Sequence, residues 1–188
     1  MMKKLNVFTH IALGLVMTLG TTASQADSVL SKKDAKELAQ YREAERIGKE
    51  HLIKFDTLDF DVYSNQKWDR LKESHAANIR VHYPDGSTTV GIPDHIVELK
   101  KMFVFAPNTK IKTHPIRIAS GEWTSVVGEI EGNFSQPMPI GNGKTIPPTG
   151  KPFKFKMVTV GHWKNGTMDE EYLFWDNQAF MKQIGLEK

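Results

Sequence analysis

Helix-forming segments occupy the first part of this 188-residue chain, and long strand-forming segments occupy the second. Apolar side chains that recur at three- and four-residue steps predict helices at residues 34–55, 65–77 and 93–105, and a short one at the end of the chain at 177–184. Stretches dominated by Val, Ile, Thr and aromatic residues predict strands at residues 110–119, 122–134, 152–163 and 168–175. A block of helices followed by a block of strands is typical of an α+β domain.

The connections between these segments predict how the strands pair. Residues 79–83 and 88–90 form a predicted short hairpin, and turn residues at Ser120-Gly121 and 164–167 predict antiparallel neighbours. The stretch 135–151 is broken by Pro and Gly, so we expect a long loop over a pocket mouth. Three helices on a curved antiparallel sheet make a cone-shaped, barrel-like fold, and its concave side leaves an internal pocket.

The N-terminus has the pattern of a secretory signal peptide. Lys3 and Lys4 precede the apolar stretch 5–19, and small residues lead up to Ala26. The alternative is a retained membrane anchor, but the apolar stretch is about 15 residues long where a spanning helix needs about 20. We therefore expect cleavage after Ala26, one domain over residues 27–188 without a membrane anchor, and a periplasmic or secreted location.

The composition excludes several classes of function. The absence of cysteine excludes disulfides, thiolate metal sites and cysteine catalysis. Removal of the leader takes two lysines with it and lowers the net charge from +3 to +1, which gives no basis for a nucleic-acid partner. Sequence motifs for dinucleotides, nucleoside triphosphates and the nucleophile elbow are also missing. The histidines at 51, 75, 82, 95 and 114 lack the spacing of a local metal site, so we expect none.

A series of motifs in the second half carries a family resemblance. They are Gly132-Asn133-Phe134, residues 147–151, Lys164-Asn165-Gly166, residues 170–177 and residues 183–186. In this order and spacing they resemble the SnoaL-like polyketide and ester cyclases, over roughly residues 35–186. The resemblance implies the nuclear transport factor two-like cone fold. It also implies a pocket carboxylate that deprotonates a carbon beside a carbonyl and leads to aldol closure, with no metal or organic cofactor.

The resemblance places the catalytic carboxylate at Asp176 and its histidine partner at His162. Tyr172, Phe174 and Asp176 share one face of the last predicted strand, where two aromatic rings would help raise the pKa of the carboxyl. Two alternatives stay open. Asp176 is also well placed to cap the helix that follows, and His162 is also consistent with an interior histidine bonded to a backbone carbonyl or with a surface position.

Four further residues are candidates for substrate binding. Glu131 shares a strand face with Glu129, which would put two carboxylates into the cone, although pairing with lysines of a neighbouring strand is the alternative. Trp68, Tyr83 and Phe103 are expected in the pocket wall or in the core, and the sequence does not separate these two roles.

Three functions remain from this reading. The first is acid/base catalysis of an aldol cyclisation or isomerisation on a small carbonyl compound. The second is a periplasmic protein that binds an apolar small molecule and performs no chemistry. The third is a homodimer formed through the outer face of the sheet, with the pocket incidental.

Overall fold

The computed structural model of the protein describes residues 30–187. The predicted signal peptide, residues 1–26, lies outside the described residues. No helix within residues 30–187 is both long and apolar enough to span a membrane.

The helical elements of the described residues lie on the concave side of a curved sheet. They are α1 (Lys32–Thr57), a π-helical segment (Leu58–Tyr63), a 3-10 helix (Trp68–Glu73), α2 (Ile92–Phe105) and α3 (Asn177–Gln183). The helices predicted at the start, in the middle and at the end of this region are confirmed as α1, α2 and α3. The side chain of Ser31 caps α1 by accepting a hydrogen bond from the amide of Asp34.

The helix predicted at residues 65–77 is wrong over much of its length. The 3-10 helix covers only part of it, and a strand begins at His75. Trp68 and Leu71 stand three residues apart, a spacing that fits one 3-10 turn as well as it fits an α-helix. The residues after Ser74 are strand because they pair with the last strand of the sheet, and this tertiary pairing overrides the local pattern.

The main sheet has six strands in the order β2-β1-β8-β7-β4-β3. The strands are β1 (His75–His82), β2 (Thr88–Val90), β3 (Lys110–Ser120), β4 (Trp123–Asn133), β7 (Pro152–Lys164) and β8 (Thr167–Trp175). The pairs β1–β2, β3–β4, β4–β7 and β7–β8 are antiparallel, as expected. The pair β1–β8 is parallel, so the expectation of a purely antiparallel sheet is wrong at this point. The chain between these two strands contains α2 and the other strands of the sheet, so it is long enough for the crossover that parallel pairing requires.

The connections agree with the turn chemistry of the sequence. The β7–β8 hairpin turns through Asn165 (φ 52°) and Gly166 (φ 78°), the left-handed pair that a tight hairpin needs. The segment 135–151 is a long connection that carries only the two short strands β5 (Met138–Pro139) and β6 (Thr145–Ile146).

The core lies between the helices and the inner face of the sheet. Phe55, Leu71 and Trp163 are among its fully buried side chains, and Trp163 donates a hydrogen bond from its indole nitrogen to Thr124 (2.9 Å). The side chains do not fill the cone completely. A cavity of about 550 Å³ remains between α2, the π-helical segment and the strands. A cavity of this size suits a small organic molecule.

Candidate active site

The cavity has apolar walls and a polar end. Leu99 and Met102 of α2 face Phe155 and Met157 of β7 across it, and Trp175 lies at the end of β8. Met138, from the long connection 135–151, also lines the cavity, in agreement with the loop predicted over its mouth. The polar end contains two groups of ionisable side chains that reach the cavity from different elements.

The first polar group is centred on Asp59, which the π-helical segment carries into the cavity. A π-helix is rare and is often found at functional sites, because its extra residue changes the direction of the side chains. Asp59 is only 6 % exposed, and its Oδ2 accepts a hydrogen bond from Nε2 of His114 on β3 (2.8 Å). The other ring nitrogen of His114 donates to Oδ1 of Asp56 (2.8 Å), and Arg117 pairs with Asp56 (2.9 Å).

In this arrangement the proton on Nε2 of His114 is shared in a hydrogen bond with Asp59. Burial raises the pKa of Asp59, although the hydrogen bond and charge of His114 oppose the shift. Burial alone would lower the pKa of His114, but the hydrogen bonds and charges of Asp59 and Asp56 raise it. Because both ring nitrogens of His114 face carboxylate oxygens, the ring donates from both and is held as an imidazolium.

The second polar group consists of His75, His95 and Glu171, which are all buried. They come from the start of β1, from α2 and from the inner face of β8. Oε2 of Glu171 lies 3.6 Å from Nε2 of His75 and 3.5 Å from Nε2 of His95. These separations are too long for good hydrogen bonds. Oε2 of Glu171 and Nε2 of His75 have no hydrogen-bond partner within residues 30–187.

Neighbouring groups hold the two histidine rings in place. Nδ1 of His75 lies 3.2 Å from the carbonyl oxygen of Leu71 and 2.9 Å from Oγ of Ser74. Nδ1 of His95 lies 2.8 Å from the hydroxyl of Tyr83. Both rings therefore turn their Nε2 atoms towards Glu171.

The charges of this group follow from its burial and its close contacts. Burial lowers the pKa of His95 to about 4, although the charge of Glu171 opposes the shift. His95 is therefore neutral at pH 7. Burial acts to raise the pKa of Glu171, but the 3.6 Å contact from His75 and positive charge on His75 and His95, present when these rings are protonated, outweigh it and lower the pKa. Burial also raises the pKa of Tyr83 above its usual range, so its hydroxyl keeps its proton.

The structure does not bring the predicted catalytic pair to the cavity. Oδ1 of Asp176 accepts a hydrogen bond from the amide of Ala179 (2.8 Å), so Asp176 caps α3, which is one of the two readings that the sequence left open. His162 lies on the opposite side of β7 from the cavity. Its Nδ1 is 2.6 Å from Oδ1 of Asp169, and its ring packs on Trp123.

Most of the predicted substrate-binding residues also lie elsewhere. Tyr172 stacks on His82 on the outer face of the sheet, and Phe174 on the same face is 52 % exposed. Glu131 forms an ion pair with Lys112 of the neighbouring strand, as the alternative reading had it.

The three remaining aromatic candidates divide between core and cavity. Trp68 and Phe103 pack with Tyr63 in a cluster of edge-to-face rings. Tyr83 lines the cavity and contacts His95. Of the eight predicted site residues, Tyr83 alone is among the lining residues of the described structure.

Sequence reasoning missed the residues that form the polar end of the cavity. Asp59 and His114 are 55 residues apart, and the two histidines beside Glu171 are 20 apart, so no local spacing connects them. One signal was present in the sequence. Glu171, Leu173 and Trp175 alternate along β8 as regularly as Glu170, Tyr172 and Phe174 do, so either set is a candidate for the inner face.

Comparison with known proteins agrees with the fold. The family model for SnoaL-like polyketide cyclases matches residues 56–184. No match was found among curated proteins.

Several solved structures are similar. A Jannaschia sp. CCS1 protein assigned to the SnoaL-like polyketide cyclases is 20 % identical, with a TM-score of 0.65, and the match covers 76 % of this chain and 96 % of that one. IdmH of Streptomyces antibioticus, assigned as a polyketide cyclase, is 19 % identical, with a TM-score of 0.61 and coverage of 72 % and 98 %. A ketosteroid isomerase-like protein of Catenulispora acidiphila, solved with trimethylamine, is 14 % identical, with a TM-score of 0.54 and coverage of 66 % and 87 %. At these identities the likeness establishes the shared fold.

Proposed function

Because the chain belongs to the SnoaL-like polyketide cyclase family, we propose that it catalyses proton abstraction beside the carbonyl of a small molecule held in the cone. The observation that supports this proposal is Asp59, a buried carboxyl group with a raised pKa that lines the cavity and is held by His114. Asp59 takes the place that the sequence resemblance gave to Asp176.

The proposed reaction begins with transfer of a proton from carbon to Asp59. His114 bonds to Oδ2 of Asp59, which leaves Oδ1 for the proton of the bound molecule. A carboxylate with a raised pKa is the stronger base, and most of the cavity wall is apolar. The resulting enolate then attacks a second carbonyl of the same molecule in an aldol cyclisation, or is reprotonated at another carbon in an isomerisation.

His114 and Asp56 act as positioning residues in this scheme. The imidazolium of His114 fixes one carboxylate oxygen of Asp59, and Asp56 with Arg117 fixes the ring of His114. The chain of contacts runs from the cavity to Arg117, whose side chain is 37 % exposed. Because His114 already donates from both ring nitrogens, the proton taken from the substrate stays on Asp59 until it is returned to carbon or oxygen of the same molecule.

Hydrogen–deuterium exchange into a simple ketone tests this function. In D₂O the protein is expected to accelerate exchange of the α-protons of a bicyclic ketone such as 2-tetralone, followed by NMR. Asp59→Asn is expected to lower the enzymatic rate by about a hundred- to ten-thousandfold, the usual contribution of a general base. The wild-type rate should fall as the pH is lowered through the pKa of Asp59, which lies above the ordinary value of about 3.9.

Asp176→Asn provides the matched control. Asparagine caps helices about as well as aspartate, so this variant keeps α3 intact and removes only the charge. We expect its exchange rate to equal that of the wild type. A rate lost in Asp176→Asn and kept in Asp59→Asn would overturn the proposed assignment and restore the one implied by the sequence motifs.

A carrier function is the second candidate, and the predominantly apolar wall of the cavity favours it. A carrier would retain the same small molecule in wild-type protein and in Asp59→Asn, without exchange above the buffer rate in either. Mass spectrometry of molecules that copurify with the two proteins separates this outcome from turnover, because an enzyme variant would accumulate an unreacted form.

We also propose that the protein is exported and that residues 1–26 are removed. The basic start, the short apolar stretch and the small residues before Ala26 support this proposal. The protein isolated from its own cells should then begin at Asp27, which N-terminal sequencing would determine. An intact N-terminus would contradict it.

A further inference from the structure

The group formed by His75, His95 and Glu171 has unused lone pairs that converge in a buried space. We infer that these three side chains bind a divalent transition-metal ion, and that zinc fits the group best. Two imidazoles and one carboxylate are a common ligand set of catalytic zinc sites. The histidines are too far apart in sequence for a local metal motif, and the fold brings them together.

The hydrogen bonds around His75 leave its Nε2 atom as an acceptor. The carbonyl oxygen of Leu71 can only accept, and the hydroxyl of Ser74 donates to that same carbonyl (3.2 Å), which leaves its oxygen as an acceptor 2.9 Å from Nδ1. The proton of the neutral ring therefore belongs on Nδ1. Nε2 then directs a lone pair at the carboxylate of Glu171, which also only accepts. Two acceptors facing each other without a partner are costly in a buried site, and both atoms are indeed without one within residues 30–187. A cation between them removes that cost.

The second histidine completes the set in the same way. Nδ1 of His95 contacts the hydroxyl of Tyr83, which in turn lies 3.2 Å from the hydroxyl of Thr89. When Nδ1 donates to Tyr83, Tyr83 donates to Thr89, and Nε2 of His95 is free to coordinate. Metal-binding histidines almost always donate from the other ring nitrogen to such a partner, which fixes the ring and its tautomer.

The two distances from Glu171 to the histidines are close to the spacing of ligands around tetrahedral zinc. Glu171 Oε2 is 3.6 Å from the nearest nitrogen of His75 and 3.5 Å from that of His95, and the three ligand atoms all lie within 4.8 Å of one another. Bonds of about 2.0–2.1 Å to a tetrahedral ion set its ligands about 3.3 Å apart. An octahedral ion with the same bond lengths requires about 3.0 Å, so the tetrahedral arrangement needs the smaller adjustment.

Three protein ligands leave a fourth position, and all three of these residues line the cavity. A carbonyl or hydroxyl oxygen of a molecule in the cavity is the ligand that this position would take. A bound ion there would polarise a carbonyl as a Lewis acid. The inference is independent of Asp59, and it departs from the sequence expectation that the site has neither metal nor cofactor.

Other histidines of the described chain lack these features. His114 already donates from both ring nitrogens, to Asp56 and Asp59. His82 is hydrogen-bonded to Glu170 at 2.9 Å on the outer face, where both side chains are about one-third exposed. Only the group at Glu171 combines complete burial, open lone pairs and contact with the cavity in the described residues.

Metal titration of the purified protein tests the inference. After treatment with a chelator, the protein is expected to take up about one equivalent of Zn²⁺, measured by elemental analysis after gel filtration. Co²⁺ in place of zinc should give the intense visible absorption of a tetrahedral site. Glu171→Gln should weaken zinc binding by at least about tenfold, which is the smallest effect seen when even an indirect support of a metal ligand is removed.

Glu170→Gln is the matched control, since it removes the neighbouring carboxylate from the other face of β8. It should bind zinc as the wild type does, and so should Asp59→Asn, which separates this test from that of the proposed function. His95→Gln is a second ligand variant in case Glu171→Gln does not fold, as judged by circular dichroism. The inference is overturned by absence of stoichiometric uptake in the wild type, or by equal binding in Glu171→Gln and Glu170→Gln.

Discussion

Two adjacent glutamates of β8 give opposite results because they lie on opposite faces of the sheet. Glu170 faces outwards and forms a 2.9 Å hydrogen bond with His82, with both side chains about one-third exposed. Glu171 faces inwards, lies 3.6 Å from His75, and has almost no contact with solvent. A histidine and a glutamate thus form a direct hydrogen bond on the outer face, whereas on the inner face they do not.

The difference shows what burial does to a polar pair. On the outer face, water solvates whatever the two side chains leave unsatisfied, so the direct contact contributes little. On the inner face no water is at hand, so each donor or acceptor without a hydrogen-bond partner destabilises the folded protein. Buried polar groups without a hydrogen-bond partner are therefore good indicators of a functional site.

The largest expected difference between the two faces is the loss of stability when a tryptophan is removed from each. Trp163 on the inner face is fully buried, whereas Trp123 on the outer face is 46 % exposed. Trp163→Ala should lower the free energy of unfolding by about 3–5 kcal/mol, because it leaves a cavity and an unpaired Thr124. Trp123→Ala should lower it by less than about 1 kcal/mol. Urea unfolding followed by far-UV circular dichroism measures both, and equal losses would contradict the assigned faces.

The pH dependence of stability provides the next test, centred on His114. Its pKa in the folded protein is raised above the value of about 6.5 expected in the unfolded chain. The stability contributed by His114 is therefore complete below about pH 6.5 and is lost as the pH rises through the folded pKa. Unfolding free energies measured at several pH values should decrease over this window, and the decrease should be smaller in His114→Gln. A variant with the wild-type slope would show that other groups cause it.

The smallest effect is expected on the outer face. A double-mutant cycle on His82 and Glu170 should give a coupling energy of only about 0.2–1 kcal/mol, since the pair is solvated. The coupling should weaken when the salt concentration is raised, because exposed charges are screened. A coupling of several kcal/mol that does not respond to salt would mean that the pair is less accessible to water than the structure indicates.

The architecture follows from the sequence to a large extent. The periodicity that predicts α1 and α2, and the β-rich stretches that predict β3, β4, β7 and β8, reflect which side chains each element buries locally. The stretch around residues 65–77 shows the limit of this approach. His75 and its neighbours are strand because β8 lies beside them, and no pattern within the stretch itself contains that information.

The site was harder to predict because it depends on which alternate residues of β8 face inwards. Counting back from Trp175 in steps of two places Glu171 on the inner face, and counting on from Met168 places it on the outer face. The structure resolves the conflict with a register shift between His162 and Trp163, where Asp169 is the extra residue on β8. One such bulge moves every side chain beyond it to the other face.

The motifs of the family resemblance nevertheless identified the right region of the chain. They predicted the cone fold, which the comparisons confirm, and they drew attention to residues 170–177. The resemblance did not supply Asp59, whose position depends on the π-helical segment at the end of α1. An α-helix and a π-helix of the same composition differ by one residue per turn, and composition does not separate them.

The parallel pairing of β1 with β8 has a consequence for protein synthesis. Glu171 belongs to β8, which follows every other strand of the described sheet along the chain, whereas His75 belongs to β1, the first of them. The wall of the pocket is therefore incomplete until β8 has been synthesised, because the strand that joins β1 to β7 follows the rest of the sheet along the chain. A chain that stops before β8 would have its sheet divided into β2–β1 and β7–β4–β3 and would lack the binding site. Its newly exposed strand edges would favour aggregation.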